Sequence, residues 1–228
     1  MPHDVGSGWR ARVARGAYSG LLRLATPAYL GRLWWRGARE PGYRLALAER
    51  LALGGPALEP GVVWVHAVSL GETKAAAALI DALRQVLPGM RLLLTHGTAT
   101  GREAGQALLR PGDRQAWLPY DTPGAVRRFL RRHRPAVGVL METEVWPTLQ
   151  RVAAQRGLPL VIANARLSEK SLRQGQRFAA LMQPAARRMT LALAQTEADA
   201  ARIRTMGTAR VEVAGNLKYD IAVDAALL

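Results

Sequence analysis

The sequence predicts an α/β fold, a Rossmann-like parallel sheet with helices on both faces. Two observations carry that expectation. From Val62 onward, short apolar runs alternate with longer segments of helical periodicity, the pattern of buried parallel strands joined by right-handed crossovers. The polar residues gather just after the apolar runs, where open α/β sheets place their ligands. A chain of 228 residues with 49% apolar content has enough material for a full core. It shows no internal repeat and no low-complexity tract.

Residues 1–53 read as a basic, aromatic arm. From Trp9 to residue 53 they hold Trp9, Tyr18, Tyr29, Trp34, Trp35 and Tyr43, nine arginines, and only Glu40 and Glu49 as acids. The apolar stretch Ala17–Trp35 is interrupted by Arg23 and Arg32, and Pro27 is expected to kink any helix there. It is also at the short end for crossing a bilayer, and no small-residue cleavage site follows it. Two main readings stay open, with a spanning helix as a weaker third. Arginine mixed with tryptophan and tyrosine suits a segment lying in the headgroup region of an anionic leaflet. The other reading is an amphipathic helix packed on the body, its arginines in water.

Residues 54–220 read as the Rossmann-like domain. The expected strands are Val62–His66, Arg91–Thr95, Ala116–Leu118, Ala136–Leu140, Leu160–Ala163, Leu191–Ala194 and Val211–Ala214. Between them the periodicity places helices over Glu72–Val86, Gly101–Leu109, Pro123–Arg132, Trp146–Arg156, Glu169–Gln183 and Glu197–Met206. Start signals agree: Thr122-Pro123 supplies a cap and a first-turn proline, and Thr196 with Asp199 a capping pair.

Composition narrows the chemistry. With no cysteine there are no disulfides or thiolate metal sites. His3, His66, His96 and His133 lack paired ligand spacing, so neither a metal nor a cofactor is expected. No dinucleotide glycine pattern follows the first strand, and no phosphate-loop lysine motif occurs. The net charge of +15 calls for a polyanionic partner. Only Lys74, Lys170 and Lys218 are lysines; so strong an arginine bias also arises from genomic base composition. The body has few, scattered aromatics, which argues against a single-stranded nucleic-acid platform.

Several turns can carry chemistry. Ser69-Leu70-Gly71-Glu72 fits a capping box. The same geometry holds a carboxylate at a strand end beside Ala67 and Gly71, where it can take a proton from a substrate hydroxyl. Gly97-Thr98-Ala99-Thr100-Gly101 offers hydroxyls and N–H groups to an anion, or is only a turn. Glu142 and Glu144, directly after a strand, repel one another unless a cation, a substrate or a basic side chain lies between them. Asn164 and Arg166 form a polar turn whose arginine can serve as that partner. Lys218 sits at the rim of the last strand.

Taken in order, these segments resemble the family of transferases that add 3-deoxy-D-manno-octulosonic acid (Kdo) to the lipid A precursor. The resemblance rests on His66-Ala67-Val68-Ser69-Leu70-Gly71-Glu72, Thr98-Ala99-Thr100-Gly101, Leu118-Pro119-Tyr120-Asp121, Met141-Glu142-Thr143-Glu144-Val145-Trp146-Pro147, Asn164-Ala165-Arg166-Leu167-Ser168 and Gly215-Asn216-Leu217-Lys218-Tyr219-Asp220. It implies the N-terminal half of a GT-B glycosyltransferase fold, a CMP-Kdo donor, inversion at the anomeric carbon, and no catalytic metal. It further implies that Glu72 is the general base and that Glu142 and Lys218 stabilise the transition state. Ser69, Gly71, Thr98, Thr100, Glu144, Asn164 and Arg166 are then expected at the substrate. The implied acceptor is the diphosphorylated, acylated lipid A precursor at the cytoplasmic face of the bacterial inner membrane. Members of the family are roughly twice as long, so residues 221–228 are expected to open an interdomain link and the donor-binding half to be absent.

Overall fold

The computed structural model describes residues 8–54 and 57–217; Lys218 and the expected link at 221–228 lie outside them. Seven parallel strands form one sheet: β1 (Val63–His66), β2 (Leu92–His96), β3 (Arg114–Trp117), β4 (Val137–Met141), β5 (Leu160–Ala165), β6 (Leu191–Ala194) and β7 (Val211–Val213). Their spatial order is β3-β2-β1-β4-β5-β6-β7. The order reverses between β1 and β4, which pair directly from Val63↔Val137 to His66↔Leu140. That reversal opens a crevice at the carboxyl ends of these two strands.

The strands are apolar on both faces because helices cover both. On one face Trp64, Leu93, Phe129, Leu140, Leu160 and Ile203 share a buried cluster. On the other, Val63, Val65, Ile80, Leu92, Leu94 and Val139 form a second. Strand alternation assigns the neighbours Trp64 and Val65 to opposite faces. Gly138 lets β4 lie under the Trp64 indole: a Cβ there would come within 2.7 Å of Trp64 and 2.6 Å of Leu160.

The crossover helices are α2 (Leu70–Val86), α3 (Ala99–Gly105), α4 (Pro123–His133), α5 (Pro147–Gln155), α6 (Glu169–Arg177), α7 (Ala179–Ala186) and α8 (Glu197–Met206). Ser69 and Thr196 cap as expected, each accepting a backbone N–H of the first turn, and Thr98 and Ser168 do the same; Thr122 makes no side-chain cap bond. Several boundaries differ from expectation: α2 starts at Leu70 rather than Glu72, and β3 is Arg114–Trp117 rather than Ala116–Leu118. The helix expected over Glu169–Gln183 is divided at Phe178, with α6 packing on α8 and α7 on α5 as well. Gly175 lowers the local helix preference, and tertiary contact then sets two directions. The helix expected to start at Gly101 begins two residues earlier, capped by Thr98. The one expected from Trp146 starts at Pro147.

The arm contributes α1 (Trp9–Arg36), with Pro27 inside it. Proline in a helix interior costs about 3 kcal/mol locally, and contacts on both sides of Pro27 offset that cost. The Tyr18 hydroxyl donates to Asp121 Oδ2 at 3.0 Å, and Tyr29 meets Tyr120 edge-on at 5.2 Å. Residues 41–51 then wrap onto β3. The buried Arg50 lays its guanidinium 4.0 Å from the Trp117 ring centroid, and Glu49 accepts the Trp117 N–H. No described helix is long and apolar enough to cross a membrane.

Candidate active site

The crevice at the β1/β4 reversal is built by the first residues of the turns that follow each strand. After β1 the chain turns through Ala67 and Val68 into α2, and the capping box forms. Ser69 Oγ accepts the Glu72 N–H at 3.4 Å and donates to Glu72 Oε1 at 2.9 Å; the Val68 N–H donates to Oε2 at 2.8 Å. These bonds fix the carboxylate but use only two of its roughly four lone-pair positions. The capping role and a role as base are therefore compatible. Gly71 beside it meets nothing closer than Ser69 Oγ at 4.0 Å from where a Cβ would stand, leaving open space in front of the turn.

Glu142, the first residue after β4, lies beside Asn164 near the end of β5. Met141 pairs with Ala163, and the Glu142 N–H continues the ladder to the Ala163 carbonyl at 2.9 Å. The next loop residues lock these turns together: the Thr143 hydroxyl donates to the Arg166 carbonyl and accepts the Arg166 N–H at 3.2 Å. Asn164 is buried, and its Oδ1 accepts the N–H of Leu217, the last described residue, at 3.2 Å. Lys218 itself is outside the described residues.

Three carboxylates thus share one rim, and their charges act on one another. Burial, together with the charge of Glu142, pushes Glu72 above the usual carboxylate range. Burial first, then the charges of Glu72 and Glu142, push Glu144 up to about 7. A carboxylate raised towards neutrality is a better proton acceptor at physiological pH, which is the requirement for a general base.

Thr98 caps α3 and donates its hydroxyl to the Val68 carbonyl at 3.0 Å, tying the second turn to the first. Gly97 and Gly101 permit that approach, since a Cβ on either would press on Val68. Thr100 is not brought to the carboxylates. It is exposed and lines a separate hollow with Pro41, Gly42 and Leu45. Arg166 is exposed at its turn, joined to Thr143 through its backbone.

Two cavities flank the rim. One of about 400 Å³ lies between α1 and the ends of β1–β3, with Arg32, Arg36, Arg50, Tyr29, Val68 and Thr98 in its wall. The other, about 410 Å³, is mostly apolar and opens beside Glu144, among Ile162, Leu167, Phe178 and Met206. Trp146 lines both. Sequence reasoning missed Thr143, whose partner is distant in the chain, and the structural role of Asp121. That carboxylate follows β3 and accepts the N–H groups of Thr148 and Leu149 at the start of α5, 2.8 Å each, besides the Tyr18 hydroxyl. Nothing in the local pattern around either residue signals these partners.

Residues 45–221 match the family described as 3-deoxy-D-manno-octulosonic-acid transferase (kdotransferase). The chain belongs to the Kdo transferase family. Its relatives include the 3-deoxy-D-manno-octulosonic acid transferase of Bordetella pertussis, 44% identical over 95% of this chain and 52% of that protein. The transferase of the same name from Haemophilus influenzae is 34% identical over 92% of this chain and 50% of its own length. This Kdo transferase chain therefore spans about half the length of those two relatives. Among solved structures, the UDP-GlcNAc 2-epimerase of Neisseria meningitidis bound to UDP-GlcNAc superposes with a TM-score of 0.51 at 14% identity, over 71% of this chain and 48% of that one. The S. aureus MnaA-UDP co-structure gives 0.52 at 16%, over 73% and 48%. These likenesses concern the fold: one Rossmann-like half of the GT-B type.

Proposed function

We propose that this chain is the acceptor-binding part of an inverting glycosyltransferase that moves Kdo from CMP-Kdo to a hydroxyl of the lipid A precursor. The observation that carries the reading is the placement of Glu72. A hydrogen-bonded, half-desolvated carboxylate stands at the strand-order reversal, one strand away from Glu142, with open space over Gly71. In this reading Glu72 takes the proton from the acceptor hydroxyl as its oxygen attacks the anomeric carbon of the donor. The carbon–oxygen bond forms as the bond to the CMP phosphate breaks, and the leaving phosphate keeps the electron pair. Glu142 supports the developing oxocarbenium charge, and Lys218 the leaving phosphate. Ser69 holds the base, Asn164 and Thr98 hold the turns, and Gly71, Glu144 and Arg166 border the sugar; Thr100, set apart from them, contributes only at the margin.

The cavity beneath α1 suits the acceptor, because Arg32, Arg36 and Arg50 can meet phosphate while Leu22, Leu33 and Leu118 meet acyl carbon. Attachment to the cytoplasmic face of the bacterial inner membrane follows from the same substrate and from the exposed aromatic and aliphatic residues of α1. A second reading is a non-catalytic basic module binding anionic lipid or nucleic acid. One pair of measurements separates them. The chain is expected to bind the lipid A precursor equally well with Glu72 or with Glu72→Gln. Transfer from CMP-Kdo, assayed in a protein joining this chain to a donor-binding half, is expected to fall at least about a thousandfold in that variant. Undiminished transfer would remove Glu72 from the base role.

A further inference from the structure

A groove of about 1130 Å³ runs along the side of the molecule between α1, α5 and the end of α7, apart from the carboxylate rim. Five arginines line it: Arg15 and Arg23 from α1, Arg151 from α5, and Arg187 and Arg188 beyond α7. Among its described lining residues there is no aspartate or glutamate. Gly16, Ser19, Ala154 and Gly207 are small there, which leaves room between the guanidinium groups.

Burial, and after it the charges of Arg15 and Arg127, hold Arg151 below the ordinary guanidinium range, with Asp121 acting the other way. A bound polyanion would relieve that repulsion, and arginine's planar fork matches phosphate oxygens in pairs.

The helix that supplies Arg15 and Arg23 also shows what carries the phosphate. At 100° per residue, Trp9, Val13, Leu24 and Trp35 fall on one face of α1, and all four are exposed, Leu24 by 83%. Ala17, Pro27, Ala28 and Gly31 share that face and are likewise exposed, as is Arg10 at its edge beside Trp9. Apart from Arg10 this outward strip is apolar, and the arginine groove flanks it on the side nearer the body. A soluble phosphate gives no account of the strip; a bilayer surface does.

We infer that the groove seats the phosphate of an anionic phospholipid headgroup while the outward face of α1 lies at the acyl boundary. The inference rests on the membrane-attachment reading above and adds a discrete headgroup site, separate from the acceptor crevice.

Vesicle flotation at low salt tests it, with phosphatidylcholine vesicles compared with and without phosphatidylglycerol. The intact chain is expected to prefer the anionic vesicles by about 100-fold or more. Arg23→Gln/Arg151→Gln/Arg187→Gln is expected to lose most of that preference while binding phosphatidylcholine as before. Removing the same charge elsewhere, by Arg114→Gln/Arg173→Gln/Arg210→Gln, is expected to leave the preference within a few-fold. Equal loss in both triple variants would overturn the groove and leave only net charge. Full competition by inorganic phosphate or glycerol phosphate, or by an oligonucleotide, would overturn the lipid assignment. Leu24→Glu/Trp35→Glu is expected to abolish binding to both vesicles; unchanged binding would sink the attachment reading, whatever the groove does. Circular dichroism confirms that each variant is folded before it is scored.

Discussion

Glu142, just beyond β4, and Asn164, one residue before the end of β5, stand next to one another with the same left-handed backbone, φ 56° and φ 55°. β5 runs on to Ala165, and its pairing with β6 is irregular between Ile162 and Ala165, where Asn164 lies. Asparagine tolerates this conformation; glutamate pays about 1–2 kcal/mol for it. Strain of that kind is retained where the surrounding structure needs the side chain in place.

Replacing Glu142 with glycine should therefore raise stability by about 1 kcal/mol while abolishing transfer. Asn164→Gly should do the opposite to stability, because Asn164 Oδ1 accepts the Leu217 N–H. Urea denaturation of the two variants checks the pair. A destabilised Glu142→Gly would show that the backbone there is not strained.

The acidic limb of the pH–rate profile should report Glu72. Its raised position depends on burial first and on the charge of Glu142, while the Val68 N–H and the Ser69 hydroxyl hold it down. A base works only when deprotonated, so the rate falls as pH drops through its pKa. Glu142→Gln should move that limb to lower pH, and Ser69→Ala should move it to higher pH, in whatever activity remains. Shifts in the same direction would argue that Glu72 is not the titrating group.

Acid should unfold the chain earlier than carboxylate protonation alone suggests. Burial holds His66 down to about 3, and His96 and His133 to about 4. All three are neutral when folded and take up protons near 6.5 when unfolded, so the unfolded state binds more protons between about pH 4 and 6.5. Their stabilisation is complete above 6.5 and is lost as pH falls through that window. Asp121, raised to about 6 by burial, and Glu144, raised to about 7, work in the other sense. Glu72, raised as well, adds to that opposing sense, but each unfolded histidine gains nearly a full proton, so the expected balance is a loss of stability as pH falls from 6 to 5. Denaturation at several pH values measures the slope; a rise in stability on acidification would contradict it.

Asp121 joins three elements: the turn after β3, the start of α5 and, through Tyr18, α1. Tyr18→Phe should cost about 1 kcal/mol. Asp121→Asn should cost about 2–3 kcal/mol, because an amide cannot accept all three donors and one helix N–H is left buried and unpaired. Limited proteolysis should then cut α1 faster in Asp121→Asn than in Tyr18→Phe. Identical cleavage rates would show that α1 is held without Asp121.

The strands were legible because parallel strands covered on both faces must be apolar almost throughout, as Val63–Val65 and Leu92–Leu94 are. Helix caps were legible where the partner is local: Ser69 and Thr196 each meet one within three residues. The break at Phe178 was not, because α6 and α7 are set by different distant neighbours. In the site, the order of the turns carried the family, and the Ser69–Glu72 box is written in four consecutive residues. The joining of Thr143 to Arg166, and the distance of Thr100 from the carboxylates, were not legible. They depend on which turns the sheet order brings together.

By itself, the sequence determined the alternation of strands and helices, the residues at each strand end and the family, since these follow from periodicity and short motifs. Only the tertiary structure decided that β1 and β4 are neighbours. That single pairing sets Glu72 one strand from Glu142, whose charge adds to burial in raising its affinity for a proton. Its physical reason is non-local: a parallel strand finds its partner through a crossover whose burial is shared by the whole sheet, and no short stretch of chain encodes it.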